Sequence, residues 1–525
     1  MNKIIYAVFL LAVIFTSCKK DKNGTTVNSD KDNDIHGGLG TTNASQLDLL
    51  KDSVYGYARE EYLWYDALPP ATSFKPRSFT GSSDGAALQA QIDAFSQLKL
   101  NPSNSNKPYE YDASYPGTAK YSYIDQGEAA TSIGGTAGDM GFSVFYNAYN
   151  DLRIKYVYPN SPAKTAGLVR GYKVTAINNN SNISYDPNSS DPNADPNITF
   201  VVNALGGNSI NLTVQKPDNS TMNVTVAKAT YAINPVIKYS VVTTGSGKKV
   251  GYFAFSRFTV LKDDDSGKDV SQGVIDQALN SLASSNITEL VVDLRYNGGG
   301  AVETSQYIAD YLVPTSKSGT LMFTENFNSK LQAGNYPLLA KKYGIPAGYF
   351  SLAKNTYNFS KKGTLNLNRV FFLVTGGTAS ASELLINNLK PALPGGVQII
   401  GTTTYGKPVG FFGIPVGKYD LYISEFESRN AEGKAEFYQG MIPGSNFPGV
   451  AVRDDVTKDF GDPAEGLFAK AINFIEKGNY TTASLREASL SSTDQKKVQD
   501  ANHVIELKQH EFKGAVRAKD LKLQH

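Results

Sequence analysis

Cysteine and histidine are nearly missing from this chain of 525 residues: one cysteine, Cys18, and four histidines. With a single cysteine, no intrachain disulfide can form. His36, His503, His510 and His525 all lie towards the two ends. That placement argues against a Ser–His–Asp triad, and the His/Cys set is too thin for a zinc site, so no metal is expected. Charge of one sign is also lacking. The net charge is +2, which gives no strong field to draw in nucleic acid, and no nucleic-acid partner is expected. Past the first residues, no apolar run is long enough to cross a bilayer as a helix. Any hydrolytic chemistry therefore needs a nucleophile other than cysteine and a base other than histidine.

The N-terminus carries the first positive signal. Lys3 precedes an apolar run over 4–15, followed by Thr16, Ser17 and Cys18. A basic start, a short apolar stretch and small residues read as a secretory signal. The lone cysteine sits where such a signal would be cut. This resembles a bacterial lipobox, in which the cysteine becomes the lipidated first residue of the mature protein; the alternative is an ordinary signal with a chance cysteine. The resemblance implies a protein held in the bacterial cell envelope by a lipid anchor at Cys18, at the outer membrane, on its periplasmic or its surface face. Residues 19–45, rich in Lys, Asp, Asn, Gly and Thr, read as a flexible tether.

Apolar and aromatic residues at helical spacing predict a helix over 46–65 and a second over 84–98, so 46–130 reads as a small helical N-terminal domain, with Trp64 in its core. Residues 131–230 read as a small unit of short strands, with a short helix at Ser161-Pro162-Ala163-Lys164-Thr165-Ala166 ending at Gly167. The polar stretch 179–197 reads as an inserted loop. From 231 to 478 the pattern alternates strand and helix, with apolar strands at 289–294, 369–374 and 397–400. That alternation argues for an α/β domain with an internal sheet. Residues 479–525 are polar and weakly helical, and the pattern assigns them no role.

Three segments of the α/β block carry candidate chemistry. In Gly376-Gly377-Thr378-Ala379-Ser380-Ala381-Ser382-Glu383, a turn between a strand and a helix puts Ser380 at a helix N-terminus. There the N–H groups favour developing negative charge. Ser380 could attack a carbonyl while the Ala381 N–H faces the oxyanion, or Ser380-x-x-Glu383 could be only a capping box. Thr402-Thr403-Thr404-Tyr405-Gly406-Lys407 follows the next strand. Lys407 is either a surface lysine or, if burial depresses its pKa, a general base. Asp293-Leu294-Arg295-Tyr296-Asn297-Gly298-Gly299-Gly300 supplies glycines that let backbone N–H groups approach a ligand. A nucleotide phosphate loop is excluded there, because the Gly-Lys-Ser/Thr continuation is missing.

In this order and spacing, the three segments resemble the C-terminal processing, or tail-specific, serine peptidases. The resemblance implies a crotonase-like or ClpP-like α/β catalytic core. It makes Ser380 the nucleophile and Lys407 the general base, with an oxyanion hole from Ala381 and one of Gly299 or Gly300. Glu383 and Thr404 match supporting positions, and no cofactor is called for. Some members carry a glutamine four residues after the lysine; here Phe411 stands there, so Lys407 must be oriented from elsewhere. Met140-Gly141-Phe142-Ser143, with the segment 161–178, resembles a circularly permuted PDZ domain. There Gly141, Phe142 and Ser143 would capture a peptide C-terminus by strand addition. The implied partners are proteins or peptides with accessible C-termini. The competing reading is a catalytically weak or inactive peptide-binding lipoprotein that acts as a docking module.

Overall fold

The computed structural model describes residues 35, 39–189, 191–435, 437–480, 501–502, 505 and 513–517. Cys18 and the four histidines lie outside them. Helix α1 (Gln46–Glu61) opens on a capping box at Ser45 and Asp48. Helix α2 (Asp84–Ser96) is capped by Ser83, whose hydroxyl accepts from the Ala86 N–H. Their apolar faces do not close a core of their own. Leu50, Val54, Leu88, Ile92 and Phe95 join the apolar cluster that also holds Phe253, Leu290 and Phe372 of the large sheet described below. Trp64 is buried in the same cluster and stacks on Tyr109.

The second unit is a five-stranded antiparallel sheet in chain order: β1 (Phe142–Ala148), β2 (Asp151–Val157), β3 (Lys173–Ile177), β4 (Ser209–Gln215) and β5 (Thr221–Ala227). The segment after the polar loop is a helix: α3 spans Pro196–Gly206 and is capped by Asp195, whose carboxylate accepts from the N–H groups of Asn197 and Ile198. Proline at its first turn and an Asp cap outweigh the β-branched Thr199, Val201 and Val202. The unit has its own apolar core, built around Val144, Tyr146, Ile154, Val201 and Val214.

The third unit is a six-stranded sheet in the order β6 (Val236–Thr243), β7 (Lys249–Phe255), β8 (Glu289–Asp293), β10 (Arg369–Val374), β11 (Val397–Gly401), β12 (Gly449–Ala451). The short strand β9 (Gly299–Ala301) lies outside it. Only the β6–β7 pair is antiparallel; β7 to β12 run parallel. Alternation along the strands sorts side chains to two faces. Leu290, Val292, Val370 and Phe372 meet α4 (Gln272–Ser284), α5 (Val302–Leu312) and α6 (Ala381–Leu389) on one face. Val291, Phe371 and Leu373 meet α7 (Gly466–Lys477) on the other. With both faces covered, the central strands are dominated by apolar residues, as parallel strands require.

The five-stranded unit is joined to the large sheet through buried charge. Arg170 donates to Asp454 Oδ1 (3.1 Å) and to Tyr296 Oη (2.9 Å). Arg295 bridges Asp293 (2.6 Å), Asp454 (2.6 Å) and Glu465 (2.8 Å). Burial works to raise the Asp454 pKa, but the guanidiniums of Arg170 and Arg295 hold it down at about 2.

Candidate active site

In a parallel sheet the loops leaving the C-terminal ends of the strands form the natural crevice. The loops after β8, β10 and β11 converge there, and they are the three segments singled out above. Asn297 ties the first two together and holds them to the end of β7. Its Nδ2 donates to Phe255 O (2.8 Å), its Oδ1 accepts from the Gly299 N–H (3.0 Å), and its carbonyl accepts from the Ala379 N–H (3.0 Å) and Ser382 Oγ (2.9 Å). Thr378 Oγ1 adds a bond to Leu294 O (2.8 Å).

Ser380 sits at the sharp turn from β10 into α6, with φ 57° and ψ −108°. A positive φ is uncommon for a residue bearing a side chain, and such turns expose a nucleophile above a sheet. Its side chain is buried, and the capping box read from the sequence is formed, with Glu383 accepting from the Ser380 N–H. Ala381 is the first helical residue, so its N–H has no acceptor within the helix.

Glu383 is the buried hub. Its Oε2 accepts from the backbone N–H of both Ser380 (2.8 Å) and Lys407 (2.9 Å). Its Oε1 accepts from the Gly406 N–H (2.7 Å) and Thr404 Oγ1 (2.5 Å). Burial pushes the Glu383 carboxyl above its ordinary pKa, against these four donors, which favour the ionised form. One carboxylate oxygen thus anchors the backbones of Ser380 and Lys407 together. The loop between them is further pinned where Thr404 Oγ1 accepts from the Met441 N–H (2.8 Å) and the Tyr405 N–H meets Thr378 O (3.0 Å).

Lys407 is buried, and burial lowers its pKa to about 7, with Lys120 adding repulsion and Glu110 and Glu383 opposing. Its Nζ donates to Tyr121 O (3.4 Å) and Lys513 O (3.0 Å) and lies 3.9 Å from the centre of the Phe411 ring. The orienting groups are therefore two backbone carbonyls, one from the N-terminal region and one from the C-terminal tail, and an aromatic face at the position of the absent glutamine.

Sequence reasoning missed what that N-terminal region contributes. Tyr121 Oη donates to Gly406 O (2.5 Å), and Lys120 Nζ donates to Gly406 O (3.3 Å) and Tyr438 O (3.0 Å). Burial lowers Lys120 to about 8. Buried Glu110 accepts from Tyr62, from the N–H groups of Tyr121 and Ser122, and from the Ser122 and Ser424 hydroxyls. These residues reach the site across nearly 300 residues of chain, and no local pattern marks them.

The three glycines after Asn297 have distinct roles. Gly299 (φ 104°) and Gly300 (φ 135°) occupy backbone space that L side chains rarely enter. A Cβ on Gly300 would stand 2.0 Å from Phe258 O, and one on Gly299 would stand 3.0 Å from Ala381 N. Gly141, at φ 77°, leaves no room for a Cβ against Ser161 in the turn that opens β1, where Phe142 and Ser143 are buried. Among the described residues, no cluster of His, Cys, Asp and Glu is arranged to hold a metal, and no helix is long and apolar enough to cross a membrane.

The site thus sets a strained serine at a helix N-terminus and a buried lysine, their backbones tied through Glu383, at the C-terminal ends of a parallel sheet. Residues 249–437 match the model of peptidase family S41. The carboxy-terminal processing protease CtpB of Bacillus subtilis (strain 168) is 25% identical over 261 residues, covering 50% of this chain and 45% of that protein. The carboxyl-terminal-processing protease of Picosynechococcus sp. (strain PCC 7002) is 25% identical over 292 residues, covering 54% and 58%. The matches span about half the length of these curated relatives. An S41 protein from Bacteroides fragilis NCTC 9343, known from a crystal structure, shares the fold with a TM-score of 0.57 at 21% identity, over 81% of this chain and 96% of that one. Residues 249–437 thus resemble peptidase family S41, the curated relatives matched are C-terminal processing proteases, and the solved structure shares the fold.

Proposed function

We propose that this chain is a serine endopeptidase that cuts proteins or peptides near flexible C-terminal segments, using Ser380 and Lys407 as a dyad. The observation that carries this reading is that Ser380, on a strained turn at a helix N-terminus, shares Glu383 Oε2 with a buried lysine whose pKa lies near neutrality. A lysine at about 7 is half neutral at neutral pH and can accept a proton.

Lys407 Nζ takes the Ser380 Oγ proton as Oγ attacks the substrate carbonyl carbon. The oxyanion is met by the N–H of Ala381 and that of Gly300, because the Gly299 N–H is already held by Asn297. The C–N bond breaks as Lys407 returns its proton to the leaving amine. Water, deprotonated by Lys407, then attacks the acyl-enzyme; the C–O bond to Ser380 breaks and the hydroxyl is restored. No metal or cofactor takes part in these steps.

The unit from β1 to β5 would act as a PDZ-like holder. β1 is an edge strand; Gly141 forms the turn that leads into it, and Phe142 and Ser143 are its first two residues. Lipidation at Cys18 would hold the enzyme at the bacterial cell envelope. The test is incubation with a denatured protein followed by mass spectrometry, comparing wild type with Ser380→Ala. New peptides with wild type alone support the reading. Identical digests, or a serine-directed covalent probe that spares Ser380 in folded protein, favour the docking-module alternative.

A further inference from the structure

The C-terminal tail, to which the sequence pattern assigns no role, touches both places where a substrate is expected. Ala501 and Ile505 are buried in the core of the five-stranded unit. Asn502 Oδ1 accepts from the Tyr146 N–H (2.7 Å), and its Nδ2 donates to Tyr146 O (2.9 Å). Tyr146 belongs to the edge strand β1, so both backbone groups of Tyr146 are taken by the chain itself, at an edge where an added strand would pair.

Further on, β13 (Gly514–Val516) pairs in parallel with β9, Gly514 opposite Gly299 and Val516 opposite Ala301. The Gly514 N–H donates to Gly298 O (2.9 Å), and the Arg517 N–H donates to Phe411 O (3.1 Å). Lys513 O accepts from Lys407 Nζ at 3.0 Å. A Cβ placed on Gly299 would stand 2.5 Å from Gly514 O and 3.0 Å from Ala381 N. The Gly514 carbonyl is therefore a neighbour of the amide assigned to the oxyanion. Val516 is fully buried among Ala129, Ile133, Ala301, Phe411 and Tyr422. Arg517 reaches Glu325 (3.5 Å) and Asn355 Oδ1 (3.1 Å) and lies against the rings of Phe327 and Tyr349.

We propose that residues 513–517, Lys-Gly-Ala-Val-Arg, are a pseudosubstrate held in cis. They fill the cleft of the resting enzyme, and the pockets around Val516 and Arg517 are subsites that take an aliphatic residue followed by a basic one from an extended peptide. The proposal rests on the peptidase reading for the meaning of the cleft, but not for its occupancy. Three features favour it. The strand pairs with the glycine strand beside the oxyanion donors, its backbone carbonyl caps the general base, and each of its two large side chains meets a matching environment. A tethered segment also competes at an effective concentration of about millimolar, so modest intrinsic affinity excludes dilute peptides.

The test separates binding from catalysis. A fluorescent synthetic peptide with the sequence of residues 510–520 is titrated by anisotropy against three full-length proteins: Ser380→Ala, Ser380→Ala/Val516→Asp and Ser380→Ala/Arg517→Glu. The tail substitutions put charge into pockets the tail must then vacate, and they leave the cleft itself unaltered. Both double variants should bind at least about tenfold more tightly than Ser380→Ala, as expected once an intramolecular competitor is gone. The same peptide with aspartate at its valine position should not bind them. Equal affinity across the three proteins, or undiminished binding of the aspartate peptide, overturns the proposal. Because Ser380 is absent throughout, an enzyme that proves inert towards every substrate sinks the peptidase reading alone.

Discussion

A lysine left at its ordinary pKa of ~10.4 would be neutral in only about one molecule in 2,500 at pH 7. Burial brings Lys407 to about 7, so about half of the molecules carry a working base, a gain of roughly 10³. The sign follows directly: the neutral amine is the active form, so kcat/KM should rise with pH through about 7 and level off above about 8. It should be roughly tenfold below the plateau at pH 6. The assay is kcat/KM for an internally quenched peptide between pH 5.5 and 9.5, because that ratio reports groups of the free enzyme. Lys120, at about 8, faces the same loop and is the group that could be mistaken for the base. Lys120→Met removes a repelling charge, so the limb should stay and shift slightly upward. Lys407→Arg should lose activity as fully as Lys407→Ala, about 10²–10⁴-fold, because arginine keeps its proton. A limb centred at pH 9 or above, a flat profile, or near-normal cleavage by Lys407→Arg would refute the general-base argument.

Glu383→Gln leaves four donors facing a group with one acceptor oxygen, and each buried N–H left unpaired costs about 1–3 kcal/mol. The melting temperature should fall by several degrees and cleavage should collapse, whereas unchanged melting and activity would show that the carboxylate is not the tie between the two loops. Gly300→Ala pushes a Cβ against Phe258 O at a φ that alanine resists. Circular dichroism should show loss of stability, and Ser380 labelling should slow; a fully stable, fully reactive variant would count against the tight strand geometry. Cys18→Ala should shift the protein out of the membrane fraction on cell fractionation, and fatty-acid label persisting in that variant would remove the anchor.

The strands and helices around the site were legible because their apolar residues recur at strand and helix spacing. Arg369–Val374 and Ala381–Leu389 fall where their patterns place them, and Ser380 heads the helix as its motif implies. Elsewhere local signals compete with long-range contacts. Thr199, Val201 and Val202 favour strand, but Asp195 and Pro196 start a helix there. The partners of Lys407 were invisible for a different reason. Tyr121 offers a backbone carbonyl, which any residue could supply, and Phe411 looks like ordinary core until an ammonium is found over its ring. The tail is polar and without period, yet Val516 and Arg517 bury themselves in pockets built by residues from Ala129 to Tyr422.

The Arg170–Asp454–Arg295 cluster bears on how such an enzyme could be switched on. Swinging the five-stranded unit away from the sheet would carry Arg170 off and strand a buried carboxylate beside Arg295. Breaking a buried pair costs about 3–5 kcal/mol, so thermal opening would reach on the order of one molecule in 10²–10³ or fewer. The two units would therefore move little against each other at this joint. If residues 513–517 are the pseudosubstrate proposed above, a substrate would gain entry by exchange with that strand while the frame around it stands still.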